Sequence, residues 1–407
     1  MAISASTAAA ADAMAARRDE RRALIVGCGA HALHDGYTDM VWLALPIWQA
    51  EFALGYGAVG LLRTLFSGTM AALQIPASLL AERLGGAVVL AVGTALCGLC
   101  YVLAGLSAGF PLLLAALVLG GLGASTQHPI ASALVARAFA GPRSLTAFGT
   151  YNFAGDIGKM VLPAAATGLL LVMPWRPAYA LLGLLGLVAG ALIFVLTPRF
   201  GPEPAERAEV AADVAAAARG QGFGPSYFVL LAIAAIDSAT RMGFLVFLPF
   251  LVIAKGGSVT TAGFALTLTF IGGAAGKLSC AWLGARFGVI GTICITEALT
   301  AAGMIALVLL PLAPALALLP LFGIVLNGTS SATYGSVPEL VAPEKRGRAF
   351  SWFYTGTLGA GALAPTVSGS IGDLIGVPAT VVVVSALVLV TLPLAWSLRP
   401  ALGPRAA

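Results

Sequence analysis

The sequence predicts an all-α membrane protein of about twelve transmembrane helices, built as two six-helix pseudo-repeats. Three observations predict it. The composition is too apolar for a water-facing surface. Apolar segments long enough to cross a bilayer recur along the chain. Residues of the first half return about 203 positions later, as Pro46 does at Pro249.

Of the 407 residues, 59% are hydrophobic and 10% charged, where a soluble protein carries roughly 25% charged residues. So few charges cannot clothe a surface in water, but lipid removes that demand. Glycine is abundant, at 50 residues. An interior Gly costs a soluble helix about 1 kcal/mol against Ala, whereas in a membrane bundle small residues let helices approach. A β-barrel would need alternating strands of roughly ten residues, and none is found. The net charge of +5 comes from basic residues at helix ends and does not point to nucleic acid. Cys97 and Cys100 form a C-x-x-C. With no second pair and no His nearby, they read as small apolar residues, and neither a metal nor a cofactor is expected.

A membrane helix needs roughly 20 mostly apolar residues. Spans are predicted at 22–46, 57–81, 87–105, 110–136, 145–172 and 178–197, then at 226–250, 260–284, 289–309, 314–341, 348–371 and 378–398. The domain plan follows: an N-terminal tail (1–21), a first bundle (22–198), a polar linker (199–225), a second bundle (226–398) and a C-terminal tail (399–407). Arg17, Arg18, Arg21 and Arg22 precede a first span with no cleavage signal after it, so that span is expected to stay. Of the 22 basic residues, Arg63, Lys159, Arg241 and Lys277 lie inside spans, and only Arg176 and Lys255 fall in loops on the outer side. The excess of positive charge on the other side places both termini in the cytoplasm. A bacterial inner membrane is the expected location, and a monomer the expected state.

The repeat is specific. A shift of 203 carries Gly60 to Gly263, Arg83 to Arg286 and Gly85 to Gly288; a shift of 202 carries Ala147-Phe148 to Ala349-Phe350 and Pro163 to Pro365. Duplicated bundles of this kind are a transporter architecture. After the second span, Glu82-Arg83-Leu84-Gly85 keeps the acid-Arg-x-Gly core of a G-x-L-A-D-R-x-G-R-K pattern, and Arg286-Phe287-Gly288 keeps part of it in the second half. These features resemble the major facilitator superfamily. Glu82, Arg83, Gly85, Arg286 and Gly288 are then expected to form its cytoplasmic gating motif. Within the superfamily the first half resembles the fosmidomycin-resistance group. The likeness rests on His31-x-x-x-Asp35, on Gly121-Leu122-Gly123-Ala124-Ser125-Thr126-Gln127-His128-Pro129, and on Tyr151-Asn152-Phe153-Ala154-Gly155-Asp156-Ile157-Gly158. It implies proton-coupled efflux.

A charge at mid-bilayer costs on the order of 3 kcal/mol, so intramembrane charges face the interior, pair, and mark pathways. The first span is the most polar, with His31, His34, Asp35 and Asp39. At about 1.5 Å per residue from Arg22, His31 and Asp35 lie roughly 13–20 Å deep. A His–Asp pair there can load and release a proton; the alternative is a buried hydrogen bond that fixes packing. The seventh span carries Asp237 and Arg241 one turn apart, aligned with His34 and Thr38. They form either an internal salt bridge or one that yields Arg241 to an anion. In the fifth span Asn152, Asp156 and Lys159 share a face, and Lys277 lies in the eighth. His128-Pro129 is a kink with a polar handle. Arg63 reads as an anchor reaching the interface, and Glu297 as structural. Gly155, Gly158 and Pro163, with Gly356, Gly359, Gly361 and Pro365, read as flexing elements or as static packing. Arg241, Lys159 and Lys277 suit an organic anion.

The expected function is secondary transport: proton-coupled export of a small organic anion, drug-like or phosphonate-like, by alternating access. Uptake of an anionic metabolite and a sensor built on a transporter fold are the alternatives. An enzyme is not expected, since there are only three His and no H-E-x-x-H or nucleotide-binding motif. The expected partners are the substrate, protons and the bilayer.

Overall fold

The computed structural model describes the chain over residues 2–139, 142–198 and 223–402. Most of the predicted linker, 199–222, and the end of the tail, 403–407, lie outside the described residues. The regular structure described is helical: α1 (Ala2–Phe52), α2 (Tyr56–Leu84), α3 (Gly86–Leu106), α4 (Phe110–Ala124), α5 (Gln127–Ala138), α6 (Pro142–Leu170), α7 (Trp175–Leu196), α8 (Pro225–Ala254), α9 (Val259–Leu309), α10 (Leu312–Leu340), α11 (Arg346–Ile375), α12 (Val377–Leu389), α13 (Thr391–Ser397) and α14 (Arg399–Leu402). Every predicted span falls on these helices.

Among the described residues, nine segments are long and apolar enough to cross a membrane. The first, fifth and eleventh predicted spans, in α1, α6 and α11, are not among them. The reason lies in their side chains. The first two hold the His, Asp and Lys residues of interest, and α11 is rich in Gly, Ser and Thr.

Local chemistry explains the breaks. The fourth span is interrupted at Ser125-Thr126, between α4 and α5. Pro129 has no N–H for the Ser125 carbonyl, and its ring crowds that carbonyl, so the helix breaks one turn before the proline. The eighth and ninth spans run together as α9, broken at Gly288, where φ is 68°. Its repeat partner Gly85 has φ 89° between α2 and α3. A side chain at either would be strained, which accounts for the glycine of both Arg-x-Gly turns.

Helix faces are sorted for lipid. On α7 the exposed residues include Leu181, Leu184, Leu185, Val188, Leu192 and Val195, a stripe at helical spacing. Its buried face carries Gly183, Gly186 and Gly190. A Cβ at Gly183 or Gly186 would press on the backbone of Gly98 in α3. Close backbone contact thus replaces a large apolar seam, as expected where lipid supplies the apolar surroundings.

The chain forms two compact units. One comprises Met1–Asp39, Ala72–Leu162 and Met173–Pro202; the other comprises Met40–Ala71, Pro163–Val172 and Glu203–Ala407. The first has an apolar core that includes Ala30, Leu90, Leu134, Ala147 and Tyr151. The second has one that includes Ile233, Ile293, Val337, Ala349 and Phe353. These are the same positions at shifts of 203 and 202, so the duplication extends to the packing.

Two helix starts show how capping differs. α9 begins at a local cap: the Ser258 side chain accepts from the Thr261 N–H at 3.1 Å, and Thr261 Oγ1 accepts from the Ser258 N–H at 3.2 Å. Position 55, its repeat counterpart, is glycine. The first N–H groups of α2 are met instead by Asp373 of α11, which accepts from Tyr56 at 2.6 Å and from Gly57 at 2.8 Å. Both arrangements satisfy donors that a helix cannot satisfy itself.

Candidate functional site

The first unit is polar around Asp35. His31, His34 and Asp35 are buried on α1, and α6 crosses them at glycines. A Cβ at Gly155 would lie 2.7 Å from both Asp35 Oδ2 and His31 Nε2, and one at Gly158 would collide with the Ala32 carbonyl. These glycines are therefore needed for close approach, whatever bending they also allow.

Three basic groups surround one carboxylate. His31 Nε2 and Lys159 Nζ each lie 3.4 Å from Asp35 Oδ2, and His34 Nε2 lies 3.9 Å from Oδ1. His31 Nδ1 is 2.9 Å from the Tyr151 carbonyl. A carbonyl only accepts, so Nδ1 carries a hydrogen. The other nitrogen, Nε2, faces the Asp35 carboxylate at 3.4 Å. The Tyr151 ring lies over His31 with centroids 4.2 Å apart, and Gln127 donates to the Tyr151 hydroxyl at 3.2 Å. Tyr151 and Gln127 were absent from the predicted site. Both stand within its motifs, but only the fold sets them beside His31.

The His128 ring stands edge-on to His34 at 4.7 Å and to His31 at 5.3 Å. Beside His34 a cavity of ≈10 Å³ is lined also by Tyr37, Thr94, Cys97, Gly123 and Gln127. That is room for about one water. His31, Asp35 and His128 offer ligand atoms within 4.8 Å of one another, a spacing that suits a metal ion. The Lys159 ammonium competes for the same carboxylate, which disfavours a cation there.

The second unit is polar around Asp237. Asp237 on α8 and Glu297 on α9 are 6% and 1% exposed, and both carboxyl oxygens of Glu297 are buried without a hydrogen-bond partner. Arg241 interacts with Asp237 electrostatically. Among the described residues no ion pair closes between Asp237 and Arg241, so the expected salt bridge is a longer-range attraction. Glu297, expected to be structural, is one of the two buried acids of its unit among the described residues.

Other predicted residues are dispersed. Asp156 is buried, Asp39 and Lys159 are partly buried, and Asn152 is exposed, so the boundary of burial runs through the shared face of α6. The Lys277 side chain lies outside the described residues. Glu82, Arg83 and Arg286 are exposed at the two helix turns. Arg63 is no interfacial anchor. It is 3% exposed, and its guanidinium lies 4.1 Å from the Trp42 ring centroid, held by the ring face rather than by water.

The family profile of the Major Facilitator Superfamily matches residues 27–254 and again 229–406. The chain therefore belongs to that superfamily and is a multi-pass membrane protein. No protein of curated function matches it in sequence. Among solved structures, a bacterial homologue of the human lysosomal transporter Spinster, inward-facing and occupied, superposes with a TM-score of 0.76 at 16% identity, over 93% of this chain and 96% of that one. The unoccupied form gives 0.76 at 17% identity, over 94% and 97%. The human organic anion transporter MFSD10 (TETRAN) gives 0.64 at 18% identity, over 92% and 99%. These similarities establish the fold.

Proposed function

We propose that this member of the Major Facilitator Superfamily couples proton movement to transport of a small organic anion, with Asp35, His31 and Lys159 as the coupling group. The observation that carries it is one Asp35 carboxylate oxygen that lies 3.4 Å from both His31 Nε2 and Lys159 Nζ. One carboxylate thus faces two basic groups. A proton on Asp35 frees Lys159, and an ammonium with a third of its side-chain surface open is suited to an anionic oxygen. Arg241 offers a second cationic group of the planar kind that binds carboxylate or phosphonate. MFSD10, a human organic anion transporter, is consistent with this substrate class.

Export is the primary reading, following the resemblance of the first half to the fosmidomycin-resistance group, with both termini in the cytoplasm and the two Arg-x-Gly turns as the gating motif. Uptake is the second reading. The observation in its favour is the Lys159–Asp35 pair itself, because protonation that frees Lys159 for an anion favours carrying both together.

Everted vesicles with an acid interior separate the two. Under export by exchange, adding fosmidomycin outside drives proton loss from the lumen, and Asp35→Asn abolishes it. Under cotransport, proton loss requires the anion inside instead. No proton movement in either arrangement, with well-folded protein, would remove phosphonates from the proposal.

A further inference from the structure

We propose that the small cavity beside His34 binds one water molecule, which donates to His34 Nδ1 and to Gln127 Oε1 and relays protons to the Asp35 centre. The cavity, of ≈10 Å³, is lined by His34 and Tyr37 of α1, Thr94 and Cys97 of α3, Gly123 of α4 and Gln127 of α5. One water fits that space. The wall of α3 and α4 is already in backbone contact, since a Cβ at Gly123 would collide with the Gly93 carbonyl. These two helices therefore cannot draw closer to fill it.

Donor and acceptor accounting identifies the occupant. His34 and Gln127 are 5% and 2% exposed, and each keeps one buried polar atom, His34 Nδ1 and Gln127 Oε1, without a hydrogen-bond partner. His34 Nε2 faces Asp35 Oδ1 at 3.9 Å, and a hydrogen on that nitrogen meets the negative oxygen. Nδ1 of the neutral ring is then an acceptor. Gln127 Nε2 donates to the Tyr151 hydroxyl at 3.2 Å, which leaves Oε1, also an acceptor. Two acceptors cannot satisfy each other. The remaining lining side chains have no hydrogen to spare. Tyr37 gives its own to the Leu182 carbonyl at 2.7 Å, Thr94 to the Leu90 carbonyl at 2.9 Å, and Cys97 to the Gly120 carbonyl at 3.4 Å. The site needs a very small molecule with two hydrogens to give, and water is that molecule.

The relay rests on the proton-coupling reading above. Among the described residues, the titratable groups around His34 are His31 and Asp35 of α1, His128 of α5 and Lys159 of α6. With a hydrogen already on Nε2, the open position of His34 is Nδ1, on the water's side. A proton delivered through the water binds Nδ1, and the ring hands its Nε2 proton to Asp35 Oδ1. The water and the ring end neutral, and the carboxylate ends as the acid. At a shift of 203, His34, Thr94 and Gln127 fall on Asp237, Glu297 and Ser330. The acceptor pair is not repeated, so this water site belongs to the first half alone.

The test needs no substrate. A density map of the full chain in lipid nanodiscs, at a resolution that shows ordered waters, should hold one density within hydrogen-bond distance of both His34 Nδ1 and Gln127 Oε1. Gln127→Leu should remove it, and Thr94→Ala should keep it. Solid-state NMR of the unaltered protein, ¹⁵N-labelled at its three His, should show magnetisation passing from water to an unprotonated Nδ1 of His34. In vesicles Gln127→Leu should lower proton-coupled flux by about 10-fold or more, as loss of a proton-transfer partner does. A well-resolved cavity with no density, or no transfer from water to His34, would overturn the site. Density with undiminished flux in Gln127→Leu would overturn the relay and leave a structural water. The map and the NMR decide the site even if the protein moves no protons, so failure of the coupling reading and failure of the site are told apart.

Discussion

Two polar centres occupy repeat-related helices and solve the problem of buried charge differently. Around Asp35 one acid faces three basic groups, and the backbone of Tyr151 fixes the tautomer of His31. On α8 and α9 two buried acids, Asp237 and Glu297, close no ion pair with Arg241 among the described residues. The first centre is rich in donors; at the second, both Glu297 oxygens are buried with no hydrogen-bond partner. The same duplicated scaffold therefore holds two different arrangements of buried charge. The difference arises from single positions, Thr94 against Glu297 and His34 against Asp237.

The contrast is open to test, starting with the largest effect. Asp35→Asn should lower proton-coupled flux in vesicles by about 100-fold or more, the scale of losing a proton-transfer group. Thr94→Ala should leave it within a few-fold. Equal losses would mean that the first centre is held by packing and not by its acid.

Packing differs between the repeats as well. Gly158 of α6 abuts the Ala32 carbonyl, whereas its counterpart in α11 at a shift of 202 is Ala360. Gly158→Ala should destabilise the protein by about 1–3 kcal/mol, as overpacking does. Ala360→Gly should cost about 1 kcal/mol at most. Thermal unfolding in detergent orders the two, and the reverse order would remove the proposed tight crossing.

The caps are a smaller effect. Asp373→Ala and Ser258→Ala should each cost about 0.5–2 kcal/mol. Proteolysis should then report loosening at residues 55–57 in the first variant and at 257–261 in the second. The two turn glycines are of similar size. Gly85→Ala and Gly288→Ala each place a Cβ at positive φ with extended ψ, where about 1–3 kcal/mol is expected. Unchanged unfolding temperatures would show that these turns relax freely.

Much of this was legible in the residues. The twelve spans, the duplication and the two Arg-x-Gly turns follow from apolar run length, from matching positions and from glycine at fixed offsets. The His31–Asp35 contact was legible too, because residues four apart share a helix face. The Lys159–Asp35 pair was not. It joins different helices, and helical periodicity says nothing about which face meets which neighbour. Arg63 shows the same gap: a cation near the end of a span reads as an interfacial anchor until Trp42 is seen beneath it.

The sequence by itself determined that the chain is a duplicated helical membrane protein, where its helices turn, and that charges lie at depth in α1, α6 and α8. Those properties are set by short-range chemistry and by the thickness of the bilayer. Only the tertiary structure decided the partners of those charges, the cap that Asp373 provides for a helix more than 300 residues away, and the full burial of Glu297. A partner is fixed by which helices pack and at what rotation, and that depends on the glycine contacts of the whole bundle acting together.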